Sequence, residues 1–192
     1  TKPWFMFLSQ RDRYSREQFT GDLERLESFY LDNGYVEFNI ESTPISITPD
    51  RKEVYITINL NEGELYTINE VDLAGDLVDA ETLLRAAIFV RPGETFSQGL
   101  VTATEEFMVQ FLGNLGYAFA EATGVPEVNE DEETVDVTFF IVPGNRTYVN
   151  RISYSGNIST ADDVMRREMR QLESAPASSL QIEQSKVRLE RL

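Results

Sequence analysis

The sequence predicts an α+β fold of tandem repeats, each β-α-α-β-β with a three-stranded mixed sheet covered on one face by two helices. Three observations support this prediction. Short sequence signals recur at a shift of 81 or 82 residues. Apolar residues alternate in some segments and recur every three to four residues in others, as strands and amphipathic helices require. Glycine and proline mark the boundaries between these segments.

The repeat appears in three separated places along the chain. The matched segments are 34–35 with 116–117, 61–63 with 142–144, and 69–76 with 150–157. A constant shift between separated segments indicates structural units of about 80 residues, which is enough for an independent fold. We therefore expect the C-terminal part of one unit at 1–63, a complete unit at 64–144, and the N-terminal part of another at 145–192. On this division the repeat is incomplete at both ends.

The middle unit shows the predicted elements in order. A short strand with Ile68, Val71 and Leu73 ends at Gly75, and Asp79 is placed to cap a first helix. A second helix begins at about Ser97. Two strands follow: the first starts at Tyr117, and the second alternates cleanly over 134–142. One sheet face carries Val135, Val137, Phe139 and Ile141, and the second helix turns Leu100, Thr104, Phe107, Met108, Phe111 and Leu115 to one side.

The flanking units repeat parts of this pattern. In the first unit, a helix from about Ser15 ends at Gly34 and two strands follow. Its apolar residues change parity between Ile40 and Ile45, which predicts a bulge near residues 42–44. The third unit is expected to contain a strand with Val149, Ile152 and Tyr154, a helix with Val164, Met165 and Met169, and part of a second helix.

These anchors resemble the POTRA repeat, in which Gly-Asn closes the first strand and Gly-Tyr ends the second helix. Segments 21–24, 30–35 and 166–171 look like the POTRA-containing outer-membrane protein assembly factors, over essentially the whole chain. On that register the chain would run from the second half of the second POTRA domain to the first half of the fourth.

The resemblance implies a non-enzymatic scaffold at the periplasmic face of the bacterial outer membrane. Its partners would be unfolded outer-membrane proteins, periplasmic chaperones and the lipoproteins of the assembly complex. It would meet the membrane only through a C-terminal barrel outside this chain. A POTRA array from a related secretion or translocation protein is the alternative within the same class.

Composition excludes several other functions. The chain contains no Cys and no His, which removes the common nucleophilic relays and the usual Zn, Fe and Cu ligand sets. No apolar run approaches the ~20 residues of a membrane-spanning helix. A net charge of −16 disfavours binding to nucleic acid or to anionic lipid. We expect no cofactor and no metal.

The candidate binding feature is the margin of each sheet. If the last strand of a unit is central, the strand before it lies at an edge with unpaired backbone groups. An extended client segment can pair there through its main chain. Alternatively, small residues fit under the helices, and Gly124 and Pro126 mark a bulge that protects the edge. The predicted edge residues are Val36, Phe38 and Ile40 in the first unit, and Tyr117, Ala118, Phe119, Ala120, Glu121, Ala122 and Thr123 in the middle unit.

Charge is distributed unevenly along the chain. Residues 64–144 carry 16 acidic and 2 basic side chains. This excess indicates either a surface for a basic partner or a solvated face that maintains solubility. Arg166, Arg167 and Arg170 lie on a predicted helix and are candidates for interdomain or partner charge contacts.

Two further features have competing interpretations. The acidic run 127–136 offers oxygen ligands of the kind that Ca²⁺ prefers, which makes a metal-binding or hydrolytic module the competing function. It lacks the ligand spacing of an EF-hand, and two predicted strands converge on it, so a polar hairpin turn accounts for it as well. Trp4, Phe5 and Phe7 are interpreted either as core residues or as an exposed apolar surface.

Overall fold

The computed structural model of the chain describes residues 16–50, 53–158 and 160–191. Trp4, Phe5 and Phe7 lie outside the described residues. The chain divides into two compact units, Thr1–Thr67 with Thr95–Gly99, and Ile68–Glu94 with Leu100–Leu192. The elements are α1 (Arg16–Asp32), β1 (Asn39–Ser42), β2 (Ile45–Ile47), β3 (Val54–Ile56), β4 (Asn59–Asn61), β5 (Thr67–Gly75), α2 (Glu81–Ala86), α3 (Gln98–Asn114), β6 (Glu121–Asn129), β7 (Thr134–Val142), α4 (Asp162–Glu168) and α5 (Ser179–Leu189).

The first unit contains α1 and a long interrupted hairpin. Strand β1 pairs antiparallel with β4, and β2 pairs antiparallel with β3. The register shifts between Ile40 and Ser42, which confirms the predicted bulge. Beyond it the hairpin presents four branched aliphatic residues on one face, where Ile45 lies opposite Ile56 and Ile47 opposite Val54, all of them exposed.

Tyr30 joins α1 to this hairpin. Its ring stacks on buried Phe38 at a centroid distance of 4.2 Å. Its hydroxyl donates a hydrogen bond of 2.7 Å to Glu62 Oε1. That bond, together with partial desolvation and the negative charge of Glu62, raises the pKa of Tyr30. The aromatic stack and the phenol therefore fix the helix at two points.

The second unit contains the three-stranded sheet, in the order β5-β7-β6. Strands β6 and β7 are antiparallel. Strand β5 runs parallel to β7, because Glu70 N–H donates to Asp136 Oδ1 whereas Asp76 N–H donates to Ile141 O. The predicted mixed sheet with a central last strand is thus confirmed.

The core of the second unit lies between one face of this sheet and the helices. Four alternate residues of β7, Val135, Val137, Phe139 and Ile141, are at most 1% exposed, as their parity predicts. Burial of this alternating face supplies the main hydrophobic stabilisation of the unit. The helices contribute further core residues that have no exposed surface, Leu84 on α2 and Val101, Met108 and Leu112 on α3.

Strand and helix starts differ from the predictions in three places. The strands predicted to begin at Val36 and Tyr117 begin at Asn39 and Glu121 instead. The reason is a tight turn after each helix, in which Phe38 N–H donates to Tyr35 O, and Ala120 N–H donates to Tyr117 O. The predicted cap Asp79 was also wrong, because Ala80 takes the N-cap position.

The start of α2 is a left-handed turn and not a side-chain cap. Asp79 has a φ of 58° and the residue before it a φ of 44°, so neither is in the extended conformation of an N-cap. Ala80 takes the N-cap position without a side-chain hydrogen bond. Asp76 Oδ1 instead accepts the N–H of Val78 at 3.0 Å and stabilises the turn.

Residues 145–191 contain α4 and α5 but not the predicted strand. Val149, Ile152 and Tyr154 belong to no ladder of the described chain, and the only bridge near them joins Tyr148 to Pro176. No strand of the described residues lies beside them as β7 lies beside β5, and a strand needs a hydrogen-bonded neighbour.

Side-chain hydrogen bonds recur at the 81-residue shift within the second unit. Buried Thr104 accepts the N–H of Phe89 at 3.1 Å and donates to Leu100 O at 2.8 Å. Its equivalent, Ser185, accepts the N–H of Arg170 at 2.8 Å and donates to Gln181 O at 2.6 Å. A buried hydroxyl therefore holds the loop between the paired helices in both copies.

Candidate binding edge

Strand β6 is an edge strand with an unbroken register. Each residue from Glu121 to Asn129 has a partner on β7, from Val142 to Thr134. The predicted bulge at Gly124 and Pro126 is therefore wrong. The continuous pairing leaves one margin of a nine-residue strand facing away from the sheet.

The direction of the backbone amides on this margin follows from one contact. Gly124 N–H donates to Glu105 Oε1 on α3 at 2.6 Å and therefore points away from β7. Amide directions alternate along an antiparallel strand, so the amides of Ala122 and Val128 point to the same open side. Residue 126 on that side is proline, which has no N–H. Among the described residues, Ala122 and Val128 thus supply the open donors of this edge.

Side-chain parity separates the two faces of β6. Ala122, Gly124 and Pro126 turn toward the helices and are partly buried. The alternate residues face the open side of the sheet, where Val125 lies opposite Thr138 and Glu121 opposite Val142. Phe140 and Val142 are 46% and 57% exposed on that side, so it carries both apolar and acidic groups.

The predicted edge residues are only partly on strands. Glu121, Ala122 and Thr123 lie at the start of β6, and Ile40 lies in β1. Tyr117, Ala118, Phe119 and Ala120 form the turn before β6, where Phe119 is 77% exposed and Ala120 is buried. Val36 lies in the turn after α1, and Phe38 is buried against Tyr30.

Glu105 is the residue of this edge that the sequence did not reveal. It lies on α3 beside the buried stripe of Val101, Thr104 and Met108. A glutamate at the border of such a stripe is common in amphipathic helices and does not by itself indicate a contact. Only the approach of α3 to β6 brings its carboxylate to the Gly124 amide. Helical spacing by itself carries no signal for that contact.

The three arginines of the predicted basic cluster lie on or just after α4. The Arg166 guanidinium lies 3.6 Å from Glu173 Oε1 and 5.5 Å from the centroid of the Tyr154 ring. Ile152 N–H donates to the same Glu173 carboxylate at 2.8 Å. That hydrogen bond first, and the Arg166 charge second, lower the pKa of Glu173. Arg167 and Arg170 are exposed.

The acidic run forms the turn between β6 and β7. Asp136 is engaged within the sheet, because its Oδ1 accepts hydrogen bonds from Asn69 Nδ2 at 2.8 Å and from Glu70 N–H at 3.0 Å. No group of three or more carboxylates is arranged to hold a metal ion within residues 16–50, 53–158 and 160–191. In that same part of the chain, every helix is too short or too polar to cross a membrane.

A family profile described as "POTRA: Surface antigen variable number repeat" matches residues 5–63 and 66–144. The matched residues make up more than half of the chain, and the chain therefore belongs to the POTRA family.

Individual relatives agree with this assignment. The chain is 33% identical, over 97% of its length, to the outer membrane protein assembly factor BamA of Neisseria meningitidis serogroup B. It spans about a quarter of that relative, 24% of its length. Among solved structures, the Haemophilus influenzae BamA POTRA3-5 structure matches 94% of the chain and 71% of its own, with a TM-score of 0.77 and 29% identity.

A second solved structure bears on the position of the repeats. The BamA structure from Haemophilus ducreyi lacking POTRA domains 1-3 is 36% identical, with a TM-score of 0.60, over 66% of this chain and 24% of its own. Neither solved structure contains a second POTRA domain. These matches therefore do not support the expected register, which begins in the second domain.

Proposed function

We propose that this chain is part of a periplasmic POTRA scaffold of the outer-membrane protein assembly machinery. It acts as a binding module and not as an enzyme. It docks lipoprotein partners and guides unfolded β-barrel precursors, and it receives them from periplasmic chaperones. The family assignment and the similarity to BamA over nearly the whole chain support this function.

We further propose that the three segments 1–63, 64–144 and 145–192 are successive POTRA domains. The two profile matches end and begin close to the first boundary. The solved structures that resemble the chain favour the third to fifth domains over the second to fourth. On this reading the complete middle unit corresponds to the fourth domain.

The single observation that carries the binding mechanism is the open margin of β6. An added strand gains main-chain hydrogen bonds there without requiring particular side chains. The outward direction of the Gly124 amide shows that the backbone groups of every second residue point outward. This margin therefore carries two open donors and four carbonyls, those of residues 122, 124, 126 and 128. Recognition through backbone groups suits a scaffold that receives many different precursors.

A proline scan of β6 tests this mechanism. Val128→Pro removes an open donor without breaking the ladder to β7, because edge strands accept proline where the N–H faces outward. We expect roughly threefold to tenfold weaker binding of a synthetic peptide with the alternating pattern of a barrel strand. Fluorescence anisotropy of the labelled peptide with the whole chain measures this affinity.

The matched control is Val128→Ala, which changes the side chain and keeps the amide. We expect its affinity to stay near that of the original chain. The double variant Ala122→Pro with Val128→Pro should lose most of the binding. Unchanged affinity in the double variant, with an intact fold by circular dichroism, would rule out pairing at β6.

A further inference from the structure

The open margin of β6 is interrupted at its centre. Of its four outward positions, residue 126 has no N–H, and the N–H of Gly124 is already bonded to Glu105. An incoming strand thus meets open donors at Ala122 and Val128, at the two ends, and a carboxylate between them. Glu105 occupies the place that a carbonyl of a paired strand would take.

The approach of α3 to β6 makes this contact possible. A Cβ at position 124 would lie 2.6 Å from Val101 Cγ1 and 2.9 Å from Phe139 Cε1, so only glycine permits the observed packing. The hydrogen bond of 2.6 Å from Gly124 N–H to Glu105 Oε1 is charge-assisted and partly buried. Glu105 therefore covers a backbone amide at the centre of β6, and edge strands generally need such protection against unwanted pairing.

The side chains beside the open margin are acidic at both ends. Glu121 and Glu127 lie six residues apart on the solvent-facing side of β6, with Thr123 and Val125 between them. Residues 64–144 contain only two cations, Arg85 and Arg91, and Arg85 Nε lies 3.0 Å from Glu81 Oε1. The field at this edge is thus strongly negative.

We propose that the β6 edge is a gated site for an extended segment with basic side chains opposite Glu121 and Glu127 and an apolar side chain opposite Val125. A carbonyl of that segment replaces the Glu105 carboxylate at the Gly124 N–H. Opposite charges directly across a strand pair stabilise the pairing, and like charges oppose it. This inference rests on the proposed edge pairing and adds the chemistry of the segment and the gate.

The first test compares two synthetic peptides that differ only in charge. One peptide has lysines at two positions six residues apart, and the other has glutamates at those positions. Both have an apolar residue between them, at the position opposite Val125, and serine or threonine at alternate positions. We expect the lysine peptide to bind the whole chain at least about tenfold more tightly at low salt, and the preference to shrink as salt is raised. Equal affinities would overturn the proposed selectivity.

The second test removes the gate, which is the Glu105 carboxylate at the Gly124 N–H. Glu105→Ala frees the Gly124 amide, so that the lysine peptide no longer competes with a carboxylate, and we expect roughly fivefold to tenfold tighter binding. Glu106→Ala is the matched control, because it removes the same charge from the neighbouring, exposed position of α3. Equal changes in both variants, or no change in either, would contradict the gate.

Amide NMR spectra separate this inference from the edge pairing on which it depends. Suppose that both peptides shift the amide resonances of residues 121–129 equally, and that Glu105→Ala changes neither response. Edge pairing then stands and the gated selectivity fails. If neither peptide shifts these amides in any variant, the edge pairing itself fails. In the supporting outcome, the Gly124 amide shows the largest shift, and it does so with the lysine peptide.

Discussion

Gly124 lies where β6 packs against Val101 of α3, and its missing side chain is a packing requirement. We expect Gly124→Ala to cost about 1–3 kcal/mol, because the added methyl overlaps Val101 and the ring of Phe139. Gly21→Ala is the matched control in α1, where a Cβ meets nothing within 4 Å. It should stabilise the chain by about 0.5–1 kcal/mol through helix propensity. Urea unfolding followed by circular dichroism measures both, and a Gly124→Ala variant as stable as the original would contradict the close packing.

At the scale of elements, the start of α5 depends on the end of α3. Asn114 Oδ1 accepts hydrogen bonds from the N–H of Leu180 at 2.9 Å and from the Ser178 hydroxyl at 3.4 Å, so one side chain satisfies an amide that the helix cannot bond itself. The first unit repeats the arrangement, where Asp32 Oδ1 accepts the N–H of Gly99 at 2.6 Å. The repeat thus preserves a contact between helices as well as a sequence signal.

Replacement of this acceptor should loosen α5. We expect Asn114→Ala to cost about 0.5–2 kcal/mol, the range of a lost helix cap, and to speed hydrogen exchange at Leu180. Asn114→Asp should retain slow exchange, because aspartate makes the same contact in the first unit. Gln110→Ala, one turn earlier on α3 and exposed, controls for a change in helix propensity. Exchange at Leu180 that stays slow in Asn114→Ala would exclude a role for the acceptor.

At the scale of the whole molecule, the net charge of −16 opposes compaction. Added salt screens this repulsion, so we expect the melting temperature to rise by about 2–4 °C between low and physiological ionic strength. Glu130→Lys with Asp131→Lys, both exposed in the β6–β7 turn, should raise the melting temperature at low salt and reduce the salt dependence. Differential scanning calorimetry provides the measurement. A melting temperature that falls with added salt would show instead that attractive ion pairs dominate.

The sequence alone determined the repeat, the order of the helices and strands in the middle unit, and which face of β7 is buried. These features depend on local periodicity, which each segment carries by itself: Val135, Val137, Phe139 and Ile141 alternate in the sequence as they do in the core. The bulge after Ile40 was predictable for the same reason, since a change of parity is a local signal.

Only the tertiary structure decided where the strands begin, which amides of β6 stay open, and that Glu105 covers one of them. The turn at residues 117–120 has a sequence compatible with a strand, and its hydrogen bonds to the end of α3 prevail over that propensity. The bond from Gly124 to Glu105 joins residues that are 19 positions apart and on different elements. Such a contact depends on how a helix packs on a sheet, and no spacing within either element encodes it.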